Sequence, residues 1–263
     1  MTRNRPRILV TRPADQANRL CELIEAAGGE ALRLPTIEIL DPLDTSHLEN
    51  VVDELDSCDL AVFVSTNAVI RGMEYILTRR EWPEEVQIAT VGTSSAASLL
   101  RFGLAADLVP ATRFTSEGLL ELDELQDMSG MRVIIVRGSG GRELLHDTLV
   151  ERGAEVDYAE VYRRACPVVE ARVMRKLLKP GYLDVITVTS NETLQNLFTM
   201  AGPEGQALLR NIPLLVGSER QARRAAELGF SQAPVIAADT SDAATVAALK
   251  QTVMRKDADR CPG

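Results

Sequence analysis

Short turns rich in hydroxyl, amide and glycine residues recur in this chain, and they come in matched pairs. Ser65-Thr66-Asn67 answers to Thr189-Ser190-Asn191, Gly92-Thr93-Ser94-Ser95 to Gly217-Ser218-Glu219-Arg220, and Thr115-Ser116-Glu117 to Thr240-Ser241-Asp242. Each stands where an apolar run gives way to a helical pattern. Side-chain oxygens at such a point satisfy the unpaired N–H groups of the first helical turn. The same N–H groups, with the helix dipole behind them, can receive a carboxylate or a phosphate. Capping alone explains any single turn, and the two roles are compatible. Candidate anion ligands on this basis are Ser65, Thr66, Asn67, Thr93, Ser94, Ser95, Ser190, Asn191, Gly217, Ser218, Thr240 and Ser241.

Arginine adds to the same chemistry. Arg12 and Arg137 close corresponding apolar runs and Arg142 follows five residues later, so all three suit bidentate carboxylate recognition, or else are solvated surface charge. The loop Arg137-Gly138-Ser139-Gly140-Gly141-Arg142 resembles a phosphate cradle, which makes Gly138 and Ser139 candidates too. It is not a dinucleotide fingerprint. Glu143 occupies the place of the third glycine, and the corresponding turn Arg12-Pro13-Ala14-Asp15 has no glycine. Tyr162 lies in a predicted long strand and offers a phenol donor, with packing as the competing role.

Other chemistries lack material. The histidines, His47 and His146, stand alone in predicted helices, and Cys21, Cys58, Cys166 and Cys261 form no C-x-x-C pair. No metal site, triad or cofactor is expected. The net charge of −9 argues against a broad nucleic-acid surface. No apolar run approaches the roughly 20 residues that span a bilayer, and the N-terminus does not read as a signal peptide, so a cytoplasmic location without membrane association is expected.

The elements that must position these residues follow from periodicity. Apolar runs at 7–12, 59–64, 86–91, 132–137, 184–189 and 213–216 read as strands, and residues 15–27 as an amphipathic helix stopped by Gly28-Gly29. Alternating strand and helix implies α/β lobes, each a parallel sheet flanked by helices, in the flavodoxin-like manner. Shifting the sequence by about 125 residues lays Arg7-Ile-Leu-Val-Thr-Arg12 on Arg132-Val-Ile-Ile-Val-Arg137 and Asp59 on Asp184, which is the mark of a duplication. Ligands of open parallel sheets bind at the carboxyl ends of the strands, so two facing edges would make a cleft. The tail from Lys256 is polar and unpatterned, and is expected to fray.

Taken together, Ile8-Leu-Val-Thr-Arg-Pro13, Leu34-Pro35, Phe63-Val-Ser-Thr-Asn-Ala-Val69, Ala89-Thr-Val-Gly92, Val161-Tyr162 and Leu215-Val-Gly-Ser218 resemble the uroporphyrinogen-III synthase family, in order and spacing across nearly the whole chain. The resemblance implies a cyclising lyase of porphyrin and heme biosynthesis that works without cofactor or metal. Its substrate would be hydroxymethylbilane, a linear tetrapyrrole with eight carboxylates, closed to uroporphyrinogen III with inversion of ring D. Tyr162 matches the family's active-site tyrosine, which assists departure of the ring A hydroxyl. A two-lobed binding or sensor protein for tetrapyrroles or small anions is the alternative.

The resemblance also redraws the domains. Duplication suggests a cut near Gly130. The family pattern instead implies one lobe from residues 1–36 and 166–263 and another from 40–161, joined by crossings at 37–39 and 162–165 that form a two-strand hinge. A monomer is implied, with a transient contact to the preceding pathway enzyme. Where many members have Ser-Pro-Thr, this chain has Thr240-Ser241-Asp242, and Asp242 is expected to turn away from a polyanion.

Overall fold

A computed structural model describes residues 5–239 and 241–254, so Thr240, Cys261 and the tail from Lys256 lie outside the described residues. The chain begins with β1 (Arg7–Val10), α1 (Asn18–Ala26), β2 (Glu30–Arg33) and β3 (Glu38–Leu40). Next come α2 (Ser46–Asp53), β4 (Leu60–Phe63), α3 (Thr66–Leu77), β5 (Gln87–Thr90), α4 (Thr93–Leu99) and α5 (Ser116–Leu120). After these lie β6 (Arg132–Gly138), α6 (Leu144–Glu151), β7 (Glu155–Ala165) and α7 (Ala171–Leu177). The last elements are β8 (Val185–Val188), α8 (Asn191–Leu209), β9 (Leu214–Val216), α9 (Glu219–Glu227), β10 (Val235–Ile236) and α10 (Asp242–Thr252). Helix α1 starts later than periodicity suggests, because the chain leaves Pro13 in an extended conformation and spends Ala14–Gln16 on a tight turn.

Two compact units result, Met1–Glu38 with Ala165–Gly263, and Ile39–Arg164. The first unit carries a sheet in the order β10-β9-β8-β1-β2, the second one in the order β3-β7-β6-β4-β5. The pairings of β1, β8, β9, β10 and β2, and those of β4, β5, β6 and β7, are parallel. This is the α/β architecture that the alternating pattern predicts.

The strands show why the sheets are covered on both faces. All four residues of β4 and all four of β8 are buried, without the polar alternation of a half-wet strand. Successive residues feed opposite faces. In the first unit Leu9 packs with Ile186 and Leu197, while Ile8 and Val10 join Leu20 and Val185. In the second, Phe63 packs with Met73 and Leu99, while Val62 joins Leu119 and Leu149. Each such side chain contributes about 2 kcal/mol of burial.

The duplication is visible in the topology. Under the sequence shift, β4, β5, β6 and β7 correspond to β8, β9, β1 and β2, and they stand in the same order, β5-β4-β6-β7 against β9-β8-β1-β2. Ala89 bridges Leu108 in parallel, at the position that β10 takes beside β9. The repeated aspartates have matching work. Asp59 accepts from the Arg132 N–H and Asp184 from the Arg7 N–H, each at 2.7 Å, so each pins the start of the neighbouring central strand. Each unit therefore draws strands from both halves of the chain.

Candidate active site

In both units two of the three paired turns singled out above cap their helices through a side chain. Ser65, Thr115, Ser190 and Ser241 accept from the N–H groups of Ala68, Gly118, Thr193 and Ala244 at 3.1, 3.2, 3.0 and 3.1 Å. Because the sheets are parallel, the turns after β4, β5 and β6 open on one edge of the second sheet, and those after β1, β8 and β9 on one edge of the first. Thr66 and Asn67 lie in the half-buried first turn of α3. Helices α4 and α9 start at Gly92 and Ser218 without a side-chain cap. Thr93 and Ser94 are exposed, whereas Ser95 is buried in the interior.

The second unit builds a cavity of about 210 Å³ at its strand edge, bordered by Ser65, Arg137, Gly138, Arg142 and Tyr162. Tyr162 is 5% exposed, and its hydroxyl lies 3.3 Å from Ser65 Oγ. Ser65 Oγ also accepts from the Ala68 N–H, and either hydroxyl can donate in its contact with the phenol. Gly138 makes room for the ring: a Cβ there would stand 2.4 Å from Tyr162 Cε2 and 2.5 Å from Cζ. The register between β6 and β7 shifts at this point, so that Gly138 pairs with Tyr162 rather than with Val161. Ser139 closes the junction, its N–H donating to the Tyr162 carbonyl at 2.7 Å.

Arg137 is part of the wall. Its Nε donates to the Gly138 carbonyl at 3.2 Å, Nη1 to Glu143 Oε1 at 3.3 Å, and its guanidinium lies 4.6 Å from the centre of the Tyr158 ring. Gly141, at φ 122°, is where only glycine lets the backbone pass this close: a Cβ would come 3.0 Å from Arg137 Nη2. Tyr158 donates its hydroxyl to Glu143, and His146 stacks on its ring at 5.2 Å. The Tyr158 hydroxyl holds the Glu143 carboxyl below its ordinary range, while burial and the hydrogen bond to Glu143 push the Tyr158 phenol up. Arg142 is exposed at the rim and donates to Glu117, whose carboxyl falls to about 2 under that hydrogen bond.

In the first unit, Arg12 pairs with Asp242, both largely shielded from solvent. Asp242 is a first-turn acid of α10, as expected, and its carboxylate is engaged by Arg12. The guanidinium neutralises it, which removes the repulsion that the expectation was built on. Gln221, 3% exposed, ties two of the turns together: its Oε1 accepts from the Gly217 N–H and its Nε2 donates to the Thr189 carbonyl, both at 2.7 Å. The Ser190 hydroxyl donates to Thr193 Oγ1 at 2.9 Å, and Asn191 Oδ1 is a buried acceptor with no hydrogen-bond partner.

Known proteins share both the sequence pattern and the fold. The family model for uroporphyrinogen-III synthase HemD matches residues 18–247. The uroporphyrinogen-III synthase of Escherichia coli (strain K12) is 34% identical over 238 residues, which cover 89% of this chain and 96% of that one. The chain belongs to the uroporphyrinogen-III synthase family. The family's enzyme from Synechococcus elongatus is 30% identical over 192 residues, 72% of each chain. In fold, the chain is similar to a uroporphyrinogen III synthase of the extremely thermophilic bacterium Thermus thermophilus, with a TM-score of 0.60 at 18% identity over 95% of this chain and 99% of that one. The uroporphyrinogen-III synthetase of Helicobacter pylori 26695 also gives a TM-score of 0.60, at 17% identity, covering 92% and 97%.

Within this uroporphyrinogen-III synthase family member, the structure brings Ser65, Arg137, Gly138, Arg142 and Tyr162 to one cavity, and Arg12, Ser190, Gly217, Ser218 and Ser241 to strand ends of the other unit. Sequence reasoning did not nominate Tyr158, Ser116 and Arg164, which line the cavity, nor Glu143, which accepts from Tyr158, nor Gln221 beside the other edge. Two signals pointed to the first group, the place of Ser116 in the paired turn Thr115-Ser116-Glu117 and that of Glu143 beside Arg142 after the glycine loop. Among the described residues no group of histidine, cysteine, aspartate and glutamate could hold a metal ion, and no helix is long and apolar enough to cross a membrane.

Proposed function

We propose that the protein closes hydroxymethylbilane to uroporphyrinogen III, inverting ring D and releasing water. Tyr162 is the observation that carries the reading: a phenol buried against Gly138, within reach of the Ser65 hydroxyl, opening on a cavity bordered by arginines. In this scheme the phenol assists the ring A hydroxyl as it leaves as water. The substituted carbon of ring D attacks the resulting azafulvene, and the spiro intermediate breaks its older bond. Reclosure at the free ring D carbon releases the hydrogen that stood there, which balances the proton lost in water.

Such chemistry asks for orientation more than for a strong acid. Rings A and D belong to one flexible molecule, so the gain comes from confining it to the one geometry in which the substituted carbon meets the electrophile. The donors assigned to the substrate's acids are Ser65, Thr66, Asn67, Thr93, Ser94, Arg137, Gly138, Ser139 and Arg142 in the second unit, and the buried Ser95 is dropped from the set. In the first unit they are Arg12, Ser190, Asn191, Ser218, Thr240 and Ser241, with Gly217 shaping the turn while its N–H is held by Gln221. Arg137, whose charge is locked to Glu143 and Tyr158, acts chiefly by field and shape. One copy of the chain handles one bilane, received from the enzyme that makes it.

Fresh hydroxymethylbilane tests the proposal, since it cyclises in buffer to the type I isomer. Incubation with the protein should yield chiefly the type III isomer. An isomer ratio equal to that of buffer alone would reject the function.

A further inference from the structure

All three arginines that the sequence nominates as carboxylate ligands hold a carboxylate of their own chain. Arg137 donates to the neighbouring Glu143, whereas Arg142 donates to Glu117 and Arg12 to Asp242, acids that lie far from them in sequence. The acids are repeat equivalents: each follows a Thr-Ser pair and sits in the first turn of its helix, α5 or α10. The arginines follow repeat-equivalent strands, β6 and β1. A first-turn acid would complement its own helix dipole without any partner. Here both reach across to a guanidinium, over sequence separations of 25 and 230 residues. The counterpart of Arg12 in the repeat is Arg137, so what recurs is the first-turn acid and its capture of an arginine from the turn after β6 or β1, through a different arginine in each unit.

We infer that Glu117 and Asp242 are built-in competitors for the substrate's acid groups, each occupying the guanidinium that an incoming carboxylate would take. The inference rests on the proposed function, and its logic comes from the reaction itself. Hydroxymethylbilane and uroporphyrinogen III carry the same acid side chains, so every carboxylate contact grips both. Such uniform binding does nothing for the barrier and slows release of product. An internal acid that must be displaced tempers the grip while keeping each guanidinium in place for the exchange. Glu117 stays ionised throughout any working pH range, since Arg142 holds its carboxyl at about 2. The pair Arg12–Asp242 is the better shielded, with side chains 15% and 22% exposed, and Arg142–Glu117 is the easier to exchange, at 67% and 36%.

The test uses the full chain and uroporphyrin III, the stable oxidised form of the product, in a fluorescence titration at low salt. Glu117→Gln should lower its Kd by about threefold to tenfold, the effect of removing one carboxylate beside a partly screened guanidinium. Glu121→Gln supplies the control. It removes the same charge from the end of the same helix, where Glu121 pairs with Arg113, and should leave the Kd at the wild-type value. In an Arg142→Gln background the gain from Glu117→Gln should vanish. Equal Kd values for Glu117→Gln and Glu121→Gln, with wild-type binding intact, would overturn the inference alone. A gain that survives Arg142→Gln would do the same. Absence of uroporphyrin binding by the wild-type protein would overturn both the inference and the site on which it rests.

Discussion

Replacing Gly138 by alanine tests the geometry around Tyr162 more sharply than removing the phenol does. The added methyl would meet Tyr162 Cε2 at 2.4 Å and Cζ at 2.5 Å, both rigid ring atoms that cannot swing aside as a flexible chain end could. Ordinary contact requires about 3.5 Å or more, so the ring must retreat by about 1 Å. Its hydroxyl stands 3.3 Å from Ser65 Oγ, and a retreat of that size breaks the contact. Overpacking of this kind costs about 1–3 kcal/mol of stability, and a misplacement of about 1 Å at a reacting group costs about 100-fold in rate. Gly138→Ala should therefore fold, melt a few degrees lower, and form the type III isomer about 100-fold more slowly. The assay is initial-rate formation of type III product, separated from type I after oxidation, alongside a thermal melt. A lowered melting temperature with a turnover number within about twofold of wild type would refute the claim that ring position governs the reaction.

Three further outcomes are expected. Tyr162→Phe should keep the fold, because the ring's packing persists, and lower the turnover number by about 100-fold or more, as loss of a positioned acid does; an unchanged rate would remove the phenol from the reaction. Gln221→Ala strands the Gly217 N–H and the Thr189 carbonyl and should destabilise the protein by about 2 kcal/mol or more, measured by urea unfolding. The Glu117 carboxyl is depressed in the folded protein, so its contribution is complete above the ordinary value of 4.5 and is lost as pH falls toward about 2. Glu117→Gln should accordingly flatten the acid limb of the stability profile between those values, and an unaltered limb would contradict the pairing with Arg142.

Much of the fold is legible in the chain because its signals are local. Arg7 to Arg12 and Arg132 to Arg137 are apolar runs ended by a turn, and Asp59 and Asp184 repeat because each accepts the first N–H of a neighbouring strand. The capping turns are legible for the same reason, since Ser65 meets a donor only three residues away. What was not legible is set by distance and register. The pairing of Arg12 with Asp242 spans 230 residues, and no property of either residue alone announces it. The placement of Tyr162 against Gly138 depends on a one-place slip between β6 and β7. Gln221, in a helix rich in charge, gives no sign that it is buried between two turns.

The interleaved assembly of the two units has a consequence for synthesis. Everything that Ile39–Arg164 needs is contiguous, so that unit can mature while the ribosome is still at work. β1 and β2 emerge first of all, yet β1 must wait with one edge bare until β8 is translated to lie along it. The earliest-made strand thus completes its pairing among the last, and a released chain ending near Leu183 would present a finished second unit together with a β1–β2 pair with one apolar edge of β1 uncovered.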